Sequence, residues 1–94
     1  MTAQEITLNI AVNLGRLGRW ADEGKTARIP AFISETQDYL IELENVKKNS
    51  RFEKTIQDFK SAFNELKSKS SYDEVWAEEA LTWANILQHR AKLA

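Results

Sequence analysis

The sequence of 94 residues has no cysteine, one proline, three glycines and one histidine. Without cysteine the chain has no disulfide, no thiolate ligand for a metal and no thioether-linked cofactor. A chain of this length forms one domain and leaves no room for a second. We therefore expect a single compact domain over residues 1–94 that is held together by its apolar core.

An excess of charge of one sign is also missing. Thirteen basic residues face 14 acidic ones, for a net charge of −1, which argues against a self-repelling disordered chain or a surface that is uniformly attractive to nucleic acid. The longest uncharged run, residues 6–15, is about half of the roughly 20 residues that a membrane-spanning helix needs. No early Lys or Arg precedes an apolar stretch, as a secretory signal requires. These absences predict a cytoplasmic protein with no membrane partner.

Four segments show helical spacing of their apolar residues, and the third is the clearest. Its apolar residues recur at alternating intervals of four and three: Phe52, Ile56, Phe59, Phe63 and Leu66. This spacing places them in one stripe and predicts a helix over 51–68. Ser50 and Glu53 have the spacing of a capping box, so Ser50 is the predicted N-cap.

The fourth segment, predicted helical over 72–92, begins with a similar box, in which Ser71 precedes Glu74 by three residues. One face is lined by large and small apolar residues: Tyr72, Trp76, Ala80, Trp83 and Leu87. Further apolar residues widen it on both flanks: Val75, Ile86 and Leu93 on one, Ala77, Ala84 and Ala91 on the other. So broad an apolar sector predicts contact with two neighbouring helices.

The second segment is predicted to be helical over 27–46. Its apolar and small residues recur at helical intervals: Ile29, Phe32, Ile33, Thr36, Leu40 and Leu43. Thr26 is the predicted N-cap, which puts Pro30 in the first turn, where a missing amide hydrogen costs little.

The first segment fits two structures. Residues 6–14 alternate between apolar and polar or small side chains, which is typical of a half-buried strand. A helix over 4–22 fits as well, since Ile6, Ile10, Leu14, Leu17 and Ala21 share one face. We favour the helix because a lone strand would have no pairing partner and because the helical pattern continues to Ala21. Gly24 is then the predicted C′ residue, and Gly15 and Gly18 weaken the helix by about 1 kcal/mol each.

The predicted helices are joined by stretches too short to return along a helix, so consecutive helices must be antiparallel. The expected fold is therefore all-α: an antiparallel up-down-up-down four-helix bundle.

Residues with catalytic or ligand-binding chemistry are few. His89 has no second histidine or cysteine to share a metal, and the acidic pairs, such as Glu78 with Glu79, are typical of a solvated helix face. No nucleophile elbow or phosphate-binding loop is present. We predict that Trp76 and Trp83 belong to the core, with Trp20 at an edge. A non-enzymatic protein without cofactor or metal is expected, and an enzyme or ligand carrier built on His89 and the tryptophans is the weakest hypothesis.

A basic ridge, defined as Lys47, Lys48, Arg51 and Lys54, precedes and begins the third helix. It could contact RNA, DNA or an acidic protein. No exposed aromatic residue is expected among these cations, since Phe52 belongs to the predicted core stripe, although single-strand binders usually provide one for base stacking. The favoured explanation is that basic residues of the third helix pair with acidic residues of the fourth.

A second apolar strip lies on the first helix, opposite its core face: Leu8, Ala11, Val12 and Gly15. Ile41 and Leu81 also lie away from the centres of their own core stripes. A contiguous strip of this kind is suited to docking another helix, from a second copy or from a partner. The preferred hypothesis is a non-enzymatic helical protein that acts through protein–protein contact, as a homodimer or an adaptor. A nucleic-acid-binding accessory protein that uses the basic ridge is the alternative.

Overall fold

The computed structural model describes residues 1–94 as four α-helices without a strand. The helices are α1 (Ala3–Asp22), α2 (Ile29–Glu44), α3 (Ser50–Ser68) and α4 (Glu74–Arg90), and a 3₁₀ turn over Ala91–Leu93 follows α4. Their ends differ from the predicted ones by at most two residues, and the carboxyl-terminal ends of α1 and α3 coincide with the prediction. The helical prediction for the first segment is confirmed and the strand alternative is wrong. None of the helices combines the length and apolar character needed to cross a bilayer.

The start of α1 is held by a capping box that the sequence analysis overlooked. The Thr2 hydroxyl accepts a hydrogen bond from the Glu5 amide at 3.2 Å, and the Glu5 carboxylate accepts one from the Thr2 amide at 2.8 Å. The two bonds satisfy amides that have no partner within the helix. The hydrogen bond that the Thr2 backbone amide donates to the carboxylate, followed by the smaller effect of the Thr2 hydroxyl on the same carboxylate, lowers the pKa of the exposed Glu5 side chain. The Glu5 side chain is therefore negatively charged at neutral pH, and its capping bond to Thr2 fixes its position.

The end of α1 is set by Gly24, which has a φ of +72°. The Gly24 amide donates to the Ala21 carbonyl at 3.2 Å, and the Lys25 amide donates to the Trp20 carbonyl at 2.7 Å. This pair of bonds is a Schellman motif, which requires a left-handed residue at C′. The prediction that Gly24 occupies C′ is confirmed.

Replacing Gly24 with alanine is expected to lower the free energy of unfolding by about 1 kcal/mol, because L-residues are strained in the left-handed region. A Cβ at this position would meet no atom within 4 Å, so the cost comes from the backbone alone. Urea unfolding followed by circular dichroism measures it. Gly24→Asn is the matched control and should lose less, since asparagine tolerates positive φ; an equal loss in both variants would contradict the explanation.

The predicted caps of α3 and α4 are wrong. The N-cap of α3 is Asn49, whose side chain accepts from the Arg51 amide at 3.0 Å, so Ser50 is already inside the helix. The N-cap of α4 is Asp73, whose carboxylate accepts from the Trp76 amide at 2.9 Å. Asp and Asn cap as well as Ser does, and the charge of Asp73 also suits the positive end of the helix. In both places an Asx side chain takes the capping position: Asn49 directly before the predicted box of α3, and Asp73 within the predicted box of α4.

The predicted Thr26 cap of α2 is also wrong. The Thr26 carbonyl accepts from the Ile29 amide at 3.2 Å, which forms a turn before the helix. Arg28 occupies the N-cap position without a side-chain hydrogen bond, and Pro30 lies in the first turn as predicted. Because proline lacks an amide hydrogen, this helix start has one fewer amide that needs a partner.

Cross-helix contacts run in opposite residue order for each pair of consecutive helices, so consecutive helices are antiparallel. The contacts that show this are Trp20–Phe32 and Asn13–Glu35, Glu44–Lys60 and Gln37–Lys67, and Phe59–Trp83 and Thr55–Arg90. The predicted all-α up-down-up-down bundle is confirmed.

The core differs in character from one side of the bundle to the other. The predicted core stripes of α1 and α3 are all buried. On α3 the space is filled by large rings, with the Phe59 ring 5.5 Å from both the Phe63 and the Trp83 rings. Between α1 and α4 the residues are small, and Ala77, Ala84 and Ala91 are buried there. Because small residues let two helix axes approach closely, α1 and α4 form the tightest helix pair.

Only part of the broad apolar face of α4 is buried against other helices. The alanine flank is buried and α4 contacts both α1 and α3, as predicted. The other flank is largely uncovered: Val75 is 73% and Leu93 41% exposed, and only Ile86 is half-buried. Trp83 is half-buried instead of fully inside the core.

The predicted charge pairing between α3 and α4 is wrong. Lys60 of α3 pairs with Glu44 of α2 at 3.2 Å, and Lys54 pairs within α3 with Asp58 at 3.5 Å. Lys60 and Lys67 are seven residues apart and therefore project from the same side of α3. That side faces α2, where Lys67 donates to Gln37. One ion pair and one hydrogen bond from a lysine thus join α3 to α2.

Candidate functional site

A shallow groove of about 440 Å³ lies on the surface between α1 and α4. The structure brings all of the predicted contact strip together along it: Leu8, Ala11, Val12 and Gly15. From α4 the groove is lined by Leu81, Ala84, Asn85 and Gln88. The strip is thus continuous with a second helix, and the candidate site is this groove with its rim, called here the α1/α4 groove.

The α1/α4 groove has an exposed apolar rim and a buried floor of small residues. Leu8 is 38% and Val12 52% exposed, whereas Ala11 is only 6% exposed. Gly15 is also buried. A surface with a rim of branched apolar side chains beside a floor of alanine and glycine has the shape that accepts the side chains of another helix.

The α1/α4 groove is shallow because Gly18, which has no side chain, lets α1 and α4 lie close together. A Cβ at Gly18 would lie 2.5 Å from Leu81 Cγ and 3.0 Å from the Ala77 carbonyl oxygen. Leu81, which the sequence placed away from its core stripe, is therefore half-buried against α1. Ile41, the other outlying residue, remains 51% exposed on α2.

Arg19 closes one end of the groove and was missed by sequence reasoning. Its Nη1 lies 3.3 Å from where a Cβ on Gly15 would be, so the guanidinium rests over that part of the floor. The helical repeat indicates its place, since a residue seven positions after Val12 lies only about 20° away from it. At the other end of the same face of α1 stands the exposed carboxylate of Glu5, seven residues before Val12.

The basic ridge does not present four equivalent cations. Lys48 is half-buried, and its ammonium donates to the carbonyls of Leu43 at 2.7 Å and Val46 at 3.1 Å. It caps the carboxyl end of α2, where a cation is favoured. Lys47, Arg51 and Lys54 are exposed, so three cations of the ridge face solvent.

The three tryptophans have different neighbours and do not share one pocket. Trp76 is buried, as predicted, and its indole N–H donates to the Leu66 carbonyl at 3.0 Å. Trp83 lies against Phe59 and donates to Glu79 at 3.2 Å. Trp20 packs edge-on against Phe32 with ring centroids 4.9 Å apart.

A larger hollow of about 610 Å³ lies at the turn between α3 and α4. Two of its lining side chains already form hydrogen bonds with nearby backbone groups: Asp73 caps α4, and Trp76 donates to the carbonyl of Leu66 near the end of α3. His89 lies exposed in the last turn of α4, away from this hollow. No three His, Asp or Glu side chains lie close enough together to hold a metal ion.

The chain matches no protein-family model, and neither the curated proteins nor the solved structures contain a match. What supports a function is therefore the surface of the molecule itself. The α1/α4 groove combines an exposed apolar rim, a floor of small residues and opposite charges at the two ends of one helix face.

Proposed function

We propose that this protein acts through protein–protein contact, without catalysis of its own, and that it forms a homodimer through the α1/α4 groove. The observation that supports the proposal is the pairing of two exposed apolar side chains, Leu8 and Val12, with a floor of small residues. Single exposed apolar residues are ordinary, but a contiguous strip beside a groove is typical of an interaction site.

The contact joins two chains that are already folded. The accessible surface is 5681 Å², close to the roughly 5500 Å² that size scaling gives for a folded monomer of this mass. No buried side-chain nitrogen or oxygen lacks a hydrogen-bond partner. A variant that cannot associate is therefore expected to keep its helices, so loss of contact and loss of fold can be measured separately.

Replacing both Leu8 and Val12 with lysine is expected to abolish association, because the rim would carry two cations in place of its apolar side chains. Light scattering on the untagged protein at high micromolar concentration measures the molar mass. The wild type is expected at twice the 10.8 kDa of one chain and the double variant at the mass of one chain. Circular dichroism should show equal helical content in the two proteins.

Ile41→Lys is the matched control. Ile41 is 51% exposed, like Val12, but lies on α2, so this variant should remain dimeric. A wild type that stays monomeric overturns the proposal. Loss of the dimer in Ile41→Lys as well would show that the surface is not the α1/α4 groove.

The nucleic-acid alternative is weakened by the structure, because Lys48 is occupied in capping α2. It is tested in the same experiment. Nucleic acid carried by protein purified at low salt would absorb near 260 nm and would dissociate as salt is raised. We expect the protein purified at low salt to show no such absorbance. We also expect its molar mass to stay the same when Lys47 and Arg51 are both replaced with glutamate.

A further inference from the structure

The outer face of α1 has opposite charges placed symmetrically about Val12. Glu5 lies seven residues before Val12 and Arg19 seven residues after it. At 1.5 Å and 100° per residue, each charge is about 10.5 Å from Val12 along the helix and about 20° from it around the helix, Glu5 on one side and Arg19 on the other. Both side chains are exposed. Reversing the direction of the helix about Val12 therefore exchanges the two charges.

This symmetry distinguishes between two ways of packing α1 against α1 of a second copy. In a parallel arrangement Glu5 would face Glu5 and Arg19 would face Arg19, which is repulsive. In an antiparallel arrangement each Glu5 faces Arg19 of the partner subunit, and both pairs attract. Isologous contacts about a two-fold axis are the usual form of a homodimer, and complementary charges set their register.

Building on the homodimer proposed above, we infer that two copies pack their α1 helices antiparallel about a two-fold axis at Val12, with Glu5 of each chain paired to Arg19 of the partner subunit. The second copy is the occupant of the α1/α4 groove. The charge pattern of a single chain thus specifies both the partner and its orientation.

The apolar residues fit the same arrangement. Reversal about Val12 brings Leu8 of one copy over the site between Val12, Gly15 and Arg16 of the other, which is a knob entering a hole. Because Gly15 has no side chain, it leaves room in this hole for the side chain of Leu8. In the single chain the guanidinium of Arg19 covers this floor. When Arg19 turns toward Glu5 of the partner subunit, it uncovers the floor for Leu8, so the ion pair and the apolar contact form together.

The test is a charge-swap experiment with two variants, Glu5→Lys and Arg19→Glu. Each variant alone would bring two pairs of like charges together, and we expect its dissociation constant to rise about tenfold or more. In a mixture, a heterodimer of the two variants has opposite charges at both sites. Mixing should therefore restore association, and native mass spectrometry should show the heterodimer as the dominant dimer.

Two controls separate the ion pair from other effects. Lys47→Glu makes the same change of charge as Arg19→Glu at an exposed residue outside α1, and it should leave the dissociation constant unchanged. Thr2→Ala removes the one capping bond of the hydroxyl but retains the charge of Glu5. It should associate like the wild type, which shows that Glu5→Lys does not act through a frayed helix start.

The possible results are distinct. Weak single variants with a restored mixture support the antiparallel pairing. A dimeric wild type whose variants fail to complement one another, or still associate singly, overturns the pairing and leaves the proposed homodimer intact. A monomeric wild type overturns both.

Discussion

Replacing Phe59 with alanine is expected to lower the free energy of unfolding by about 3–5 kcal/mol, as removal of a buried phenylalanine ring does in other cores. Phe59 is fully buried, and its ring lies 5.5 Å from the rings of Phe63 and Trp83. Its loss would leave a cavity at the centre of α3 where two large neighbours cannot both close in. A domain of this size is stabilised by only about 5–15 kcal/mol in total, so the loss would be a large share of it.

Urea unfolding followed by circular dichroism measures the change, and the summed emission of the three tryptophans, which include Trp83, gives a second signal. Val75→Ala is the control, since Val75 is 73% exposed and its truncation should change the stability by no more than about 0.5 kcal/mol. If Phe59→Ala cost no more than this control, the ring would not be part of a packed core.

Gly15 and Gly18 lie about one turn apart on α1. Replacing each with alanine is expected to change the free energy of unfolding in opposite directions. At Gly18 the new Cβ would lie 2.5 Å from Leu81 Cγ and 3.0 Å from the Ala77 carbonyl oxygen. Leu81 could change its rotamer, but the backbone oxygen requires α1 and α4 to separate. Overpacking of this kind costs about 1–3 kcal/mol. Gly18→Ala should therefore lower the free energy of unfolding despite the better helix propensity of alanine.

At Gly15 the nearest atom to a new Cβ is Nη1 of Arg19, at 3.3 Å, which is the end of a flexible side chain and can move away. The gain in helix propensity, about 1 kcal/mol, should then raise the free energy of unfolding. The same Cβ would fill the floor of the α1/α4 groove, so Gly15→Ala should also weaken the proposed dimer. Greater stability of the chain with weaker association is a combination that a purely structural role of Gly15 would not produce.

Thermal and urea unfolding of both variants, with light scattering for Gly15→Ala, measure these effects. The double variant Gly18→Ala with Leu81→Ala tests the mechanism, because removing the leucine side chain should lessen the additional loss caused by Gly18→Ala. Equal and same-signed effects at the two glycines would contradict the account of the helix contact.

Much of the fold was predictable because it depends on local periodicity. The spacing of Phe52, Ile56, Phe59, Phe63 and Leu66 identifies the buried side of α3 without reference to its neighbours, and all five are buried. The end of α1 at Gly24 could be predicted equally well, because the C′ position needs a left-handed backbone conformation and glycine adopts that conformation at no cost. The Thr2 and Glu5 box had the same local signature and could have been found by the same reasoning.

The capping residues of α3 and α4 could not be ranked from the sequence alone, because Asn49 competes with Ser50 and Asp73 with Ser71 at almost equal intrinsic preference. Which side chain reaches an amide depends on how the turn leads into the helix. The direction of Lys60 and Lys67 toward α2 also depends on how the helices are arranged. In the candidate site, Leu8 and Val12 were found from their position on α1, whereas Arg19 and the α4 residues of the groove were not.

By itself, the sequence determined four amphipathic helices, their antiparallel order, the core face of each and the second apolar strip on α1. These follow from the helical repeat and from short connections, which act along the chain. Tertiary structure alone decided which helices lie closest, that Leu81 packs against Gly18, and that the strip becomes one wall of a groove. These depend on the distance between helix axes, which side chains from distant parts of the chain set jointly by packing against one another.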